Sequence, residues 1–291
     1  MTLFIQAVFL GVLTGGVYAL MTTGLTLSFG TMRIINLAQG AFVILGAYLS
    51  WTLFAHAGVD PFVSILITAP LMFGLGIILQ IALLRPIRYN AHQLSLIMTW
   101  VMAIGIEGVL AVIYTTDSHA IITSYANDTW SIGPYRIPAV RVYAFALSVI
   151  LLVALYVLLE HTRFGRAVRA TSQRESSAKL LGVNTDRISA IAFGIGCATG
   201  AAAGAVYGLI YSFFPDSHYD LIGRLLAIVV LGGLGSYRGA LIAALALGVS
   251  EAVVQAVISP EWSSMPFYIL LALVLIIRPQ GLFGTVERGA A

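Results

Sequence analysis

Two carboxylates, Glu107 and Glu251, fall well inside long apolar stretches of this sequence. An ionisable group at membrane depth is costly, so each must be protonated, paired with a polar neighbour or turned to a water-filled cavity. A proton relay would need further titratable groups, with His or Lys close by in the same stretch. Neither acid has that company in sequence, so as isolated carboxylates they are weak support for proton coupling. Two amides follow a different pattern. In FGTMRIINLAQGAF, Asn36 and Gln39 stand three apart on one helical face and Gly40 follows. Amides offer donors and acceptors without ionising. They suit the zwitterionic end of an amino acid or a small amide, and hydrogen bonding between helices uses them equally well. Thr22, Thr23, Thr26 and Ser28 crowd the stretch before them. Hydroxyls that bond back to their own helix need no ligand. The candidates for a transport pathway are therefore Asn36, Gln39, Gly40, Thr22 and Thr23.

The chemistry that is missing narrows the class. Lys179 is the one lysine, and it lies in ESSAKLL, so the chain has no Gly-x-x-x-x-Gly-Lys-Ser/Thr loop to hold phosphates. There is no HExxH, CxxC or GxSxG. One cysteine, Cys197, lies in an apolar stretch and excludes an intrachain disulfide or a cysteine cluster. The sequence names no catalytic residue and no metal ligand set, and reads as a chain that is not an enzyme.

The densest charge lies between Arg163 and Arg187, with Arg166, Arg169, Arg174 and Lys179 between them. In a chain with 9% charged residues this interval must lie in water. Lysine and arginine mark the cytoplasmic side. Ser172 and Glu175 have the spacing of a capping box, Gly182 sits where a helix would stop, and Ala178 and Leu181 share a face. A solvated loop satisfies these facts. Exposed apolar residues in a basic surround favour a docking element for a cytoplasmic partner.

The elements around these residues are membrane helices. The chain is 59% hydrophobic with a mean hydropathy of +0.97, which excludes an ordinary soluble domain. The net charge of +3 reflects topology and does not argue for nucleic acid. About 20 apolar residues cross a bilayer core. Spans are expected near Leu3–Phe29, Ile34–Phe54, Phe62–Leu84, Leu94–Thr115, Val142–Leu159, Ile188–Phe213, Ala240–Ile258 and Met265–Ile277. The first follows no positive charge, so it is expected to be kept rather than cleaved. Leu221–Gly235 is short and glycine-interrupted, and reads either as a ninth crossing or as a re-entrant half-helix. With it as a crossing and the N-terminus outside, Arg136, Arg141 and Arg224 fall outside and the other cations inside. The fold class is thus all-α: a polytopic bundle of eight or nine spans, N-out and C-in, with residues 1–291 forming a single transmembrane domain. Gly196, Gly200, Gly204 and Gly208 make one stripe, and Gly11 and Gly15 another, where a second helix can approach closely.

Several of these stretches resemble the permease subunits of branched-chain amino-acid ABC importers, LivH type. The resemblance rests on GLTLSFGTMRIINLAQGAFVILGAYLS (24–50), GRAVRATSQRESSAKLLGVNTDRI (165–188), LLAIVVLGGLGSYRGALIAALALGV (225–249) and LIIRPQGLFG (275–284), in that order. It implies one of two unlike permeases, paired with a second, LivM-like permease in a bacterial cytoplasmic (inner) membrane. Cytoplasmic ATPase subunits would hold ATP and Mg, and a periplasmic or extracellular binding protein would deliver the substrate. The loop 163–187 would then carry the coupling helix, with Ser172, Glu175, Ala178, Leu181 and Gly182 at the ATPase. Ser176 and Ser177 depart from the alanines often found there. Two other classes remain. An ion-gradient-driven transporter of small polar solutes would need inverted repeats and buried coupling groups. A membrane-embedded enzyme would need a second catalytic group beside Glu107 or Glu251.

Overall fold

The computed structural model describes residues 2–87, 91–126, 128–132, 135–278 and 281–283. Arg88, Arg288 and parts of the C-terminal stretch 275–284 fall outside them. Eleven α-helices run in the order α1 (Thr2–Met32), α2 (Gln39–Ala57), α3 (Pro61–Leu79), α4 (Ala91–Tyr114), α5 (Ala139–His161), α6 (Arg163–Gln173), α7 (Glu175–Leu180), α8 (Thr185–Ile210), α9 (His218–Gly232), α10 (Tyr237–Val257) and α11 (Met265–Ile277), counted among the described residues. A π-helical turn, Gln80–Leu84, extends α3. Eight of the described helices are long and apolar enough to span a membrane. This is the all-α polytopic bundle expected.

The core is built around five helices. α1 packs along α10 and α8, and α8 is flanked by α2 and α3. Side chains such as Tyr18, Leu20, Met21, Tyr48, Leu225, Ile228 and Leu247 are almost fully enclosed there. α4, α5 and α11 lie at the periphery, with most of their apolar side chains outward.

Two expectations about the elements need correction. The second span does not begin at Ile34: residues 33–38 are non-helical and α2 starts at Gln39. The basic interval holds two helices, α6 and α7, where one was expected. The loop between α4 and α5 carries an antiparallel hairpin, β1 (Thr129–Ile132) with β2 (Tyr135–Pro138), pairing Thr129 with Pro138 and Trp130 with Ile137.

α9 settles the status of the ambiguous segment. Its 15 residues make roughly 22 Å, short of the ~30 Å apolar core. It starts deep in the bundle, because a Cβ built on Gly40 would lie 2.7 Å from the His218 carbonyl oxygen. Its far end reaches the end of the bundle that carries the basic interval. There Gly235 faces Gly30 and Phe29 near the end of α1, and Leu282 N–H donates to the Leu231 carbonyl. The other half of the crossing is extended chain: Phe213 pairs with His119 as an isolated bridge before the chain turns into α9. Residues 211–232 are therefore one broken crossing. Arg224, counted above with the outer loops, lies inside it.

Candidate functional site

The two broken crossings meet. Gln39, at the start of α2, donates from Nε2 to the carbonyls of Met21 (3.3 Å) and Gly196 (3.2 Å). Met21 lies eleven residues before the end of α1 at Met32, and Gly196 eleven residues into α8 from Thr185. At 1.5 Å per residue Gln39 is roughly 16 Å from the basic end. Non-helical backbone at this depth is tolerated only where protein satisfies it. Asn36 supplies part of that: its Oδ1 accepts from Ala38 N–H (3.1 Å), an Asx turn, and its Nδ2 lies 3.5 Å from Gln39 Oε1. Thr99 of α4 supplies another part, its hydroxyl accepting from Leu37 N–H at 3.2 Å. Asn36 and Gln39 thus come together as expected, but through a turn rather than along one helical face. Both are buried, at 1% and 0% exposure. Gly40 follows as the point where α2 and the first turn of α9 touch.

The threonines of α1 bond back along their own helix. Thr22 reaches the carbonyls of Tyr18 and Ala19, Thr23 that of Leu20 and Thr26 that of Thr22. Ser28 departs from this expectation, its buried hydroxyl having no hydrogen-bond partner among the described residues.

The carboxylates are not isolated, which corrects the sequence reading. Glu251 of α10 pairs with Arg224 of α9, whose guanidinium also reaches Asp220 (2.9 Å) and the Tyr18 hydroxyl (2.9 Å). The Arg224 guanidinium stands 5.6 Å from the centre of the Phe267 ring. This network clamps the short helix α9 to α1, α10 and α11. Glu107 of α4 accepts from the Tyr219 hydroxyl at 2.9 Å, and His218 Nε2 stands 3.8 Å away. Arg224, His218, Tyr219 and Thr99 were absent from the sequence candidates. Asp220 and Arg224 at i, i+4 carried a readable local signal. The others did not, since their partners are 60 or more residues away.

The glycine stripe of α8 is contact surface along its length. A Cβ on Gly196 would meet Gly24 at 3.2 Å, on Gly200 the Gln39 amide at 3.2 Å, on Gly204 the Val43 carbonyl oxygen at 2.0 Å, and on Gly208 the Phe213 ring at 3.0 Å. Gly11 and Gly15 face α10 in the same way, around Gly248.

At the basic end, α6 packs inward through Val168 and Phe164 against Leu27, Ala192 and Tyr237. α7 projects beyond it. The expected capping box is not formed. Ser172 belongs to α6 and donates to the Arg169 carbonyl, and the residue preceding α7, Arg174, makes no side-chain cap. Glu175 instead holds Lys179 at 2.6 Å, and that hydrogen bond raises the lysine's pKa. Gly182 does end the helix, with φ +83 and Val183 N–H bonded back to the Ala178 carbonyl. The exposed apolar pair is Leu180 and Leu181, at 89% and 83%, whereas Ala178 is buried at 2%. In a six-residue helix the turn toward Gly182 carries Leu181 away from the face of Ala178.

Comparison with known proteins supplies the last observation. The family described as "Branched-chain amino acid transport system / permease component" matches residues 7–275. The branched-chain amino acid permease protein LivH of Salmonella typhimurium is 32% identical, covering 98% of this chain and 96% of its own. BraD, the corresponding permease protein of Pseudomonas aeruginosa, is 29% identical over 98% of this chain and 97% of its own. LivM of Salmonella typhimurium is 32% identical across 53% of this chain and 38% of its own.

Proposed function

The chain belongs to the branched-chain amino acid transport system permease family, and from that premise we propose that it is one of two unlike permease subunits of an ATP-driven importer in a bacterial inner membrane. Its cargo in this reading is leucine, isoleucine, valine or a related amino acid. The observation that carries the reading is end-to-end likeness to LivH together with its motifs in order. The partial likeness to LivM supports a second permease of related architecture as the neighbour.

In this reading the basic end is cytoplasmic, the N-terminus is outside and the C-terminus inside. ATP and Mg belong to separate ATPase subunits, and a periplasmic or extracellular binding protein delivers the substrate. The segment Ser172–Gly182 meets the ATPase. Leu180 and Leu181 form the apolar tip that enters its groove, Glu175 with Lys179 holds the helix, and Ala178 and Gly182 fix its seat on the bundle. ATP-driven closure of the ATPases moves this tip and rocks the two permeases between outward and inward access. Asn36, Gln39 and Gly40, with Thr22 and Thr23 behind them, border the pathway by holding the α2 start against the α9 start. Movement at that junction is what the tip transmits.

Purification of the chain from its native membrane in mild detergent, with mass spectrometry of what accompanies it, tests the proposal. A second, unlike permease and P-loop ATPases are expected. Recovery of the folded chain alone or as a homo-oligomer would overturn it in favour of an ion-driven transporter. Leu181→Asp tests the tip: uptake should fall while the membrane bundle stays folded. Unchanged uptake in this variant would remove the coupling assignment.

A further inference from the structure

Glu107 is placed where a lipid-facing carboxylate is not tolerated. It lies seven residues before the end of α4 at Tyr114, roughly 10 Å below that end. α4 is peripheral, and Trp100, Val101, Ile104, Val109 and Val112 on it are exposed at 37%, 54%, 47%, 57% and 86%. The Glu107 side chain itself is 25% exposed on this surface. A carboxylate at such depth faces protein or a water-filled cavity. Gly105 and Gly108 flank it, and a Cβ on either would meet nothing within 4 Å. This part of the α4 surface is open in a way the α8 stripe is not.

The second observation is a buried polar group aimed at the same point. His218 is 1% exposed, and its Nε2 has no hydrogen-bond partner among the described residues. Its Nδ1 lies 3.1 Å from the Pro215 carbonyl oxygen. A carbonyl only accepts, so Nδ1 carries a proton, and in the neutral ring Nε2 presents a lone pair. The hydrogen of Tyr219 is already given to Glu107. With the ring neutral, two acceptors, His218 Nε2 and Glu107 Oε2, stand 3.8 Å apart with no donor between them among the described residues. Around them lie aromatic faces: the Tyr219 ring is 4.1 Å from the His218 ring and 5.6 Å from that of Trp100. Surplus acceptors, one negative charge and aromatic rings together match a primary ammonium group, which has three donors and is attracted to ring faces.

We propose that Glu107, His218 and Tyr219 form an ammonium-binding station on the α4–α9 surface, open to the space between the two permeases, which takes the α-ammonium group of the amino acid in transit. This rests on the importer reading above. It assigns α4 and the first turn of α9 to the face that meets the second permease. It also gives the pathway one polar contact that distinguishes amino acids from their deaminated counterparts.

The test uses the whole complex, both permeases with their ATPases, reconstituted in vesicles with the binding protein and radiolabelled leucine. In Glu107→Gln, leucine carried per ATP hydrolysed should fall about tenfold, equivalent to ~1.4 kcal/mol, and Glu107→Asp should recover part of it. In Glu107→Cys, the new thiol should react with the water-borne cationic reagent 2-aminoethyl methanethiosulfonate, and leucine-loaded binding protein should slow that reaction. The chain's own Cys197 is fully buried and serves as the internal control. Transport by Glu107→Gln within twofold of the parent would overturn the proposal. So would a thiol at 107 that reacts only with a lipid-soluble maleimide. Loss of complex assembly in both Gln and Asp variants would overturn it in favour of an ion pair with the second permease. Failure of the unmodified complex to take up leucine at all would strike the importer reading itself, separately from this site.

Discussion

Glu107 and Glu251 are alike in sequence, each a single acid in a long apolar helix, and the fold gives them opposite surroundings. Glu251 is 7% exposed and paired with Arg224 inside the bundle. Glu107 looks outward from α4 with a tyrosine donor and an unsatisfied histidine beside it. The glycines divide along the same line. Gly204 leaves no room for a methyl group, and Gly105 and Gly108 leave ample room. One face of the molecule is sealed by backbone approach and a buried ion pair, and the other is left open. An ionisable or small residue in a span takes its meaning from whichever helix is brought against it.

Breaking the sealed side should give the largest effect. Arg224→Ala leaves Glu251 buried without its cation and should cost about 3–5 kcal/mol, the usual cost of stripping one member of a buried pair. Thermal unfolding in detergent would show it, and an unchanged midpoint would mean that the pair does not hold α9. Gly204→Leu comes next. Its Cβ would start 2.0 Å from the Val43 carbonyl oxygen, so α2 and α8 must separate, at about 3 kcal/mol. The yield of folded monomer should drop, and a stable, active variant would show that the helices can part freely. Gln39→Leu removes two interhelical hydrogen bonds at the α2 start and should cost roughly 1–2 kcal/mol, with faster amide exchange at residues 33–38 as the specific readout.

On the open side stability should hardly move. Gly105→Ala and Gly108→Ala each meet empty space and should gain about 0.5–1 kcal/mol in the isolated chain from better helix propensity. If they destabilise the isolated chain, α4 is packed more closely than its surface implies. If they are neutral alone but weaken the pair of permeases, that sharpens the assignment of this face to the partner.

Much of the architecture was legible without coordinates. Long apolar runs dictate helices in lipid because every backbone group must be satisfied within the segment, and the expected spans match the helices to within a few residues except at Ile34. Gly182 was readable as a helix stop because only a residue without Cβ takes φ +83 easily. The Ser172–Glu175 cap was misread: a three-residue spacing does not say whether the serine stands before a helix or at the end of the previous one. The break at 33–38 was not legible because it depends on Thr99, 62 residues away from Leu37, offering its hydroxyl. The site at α9 was hidden for the same reason, since Glu107 and Tyr219 are 112 residues apart.

Composition, charge placement and hydrophobic length by themselves determined the class, a multi-pass helical protein with one basic, water-exposed loop, because those properties act through partition between water and lipid and need no neighbour. Which helices seal against each other, where two of the crossings break, and which carboxylate is buried and which left open were decided by the tertiary structure alone. Close packing and hydrogen bonds act over a few ångströms, between groups that sequence order keeps far apart.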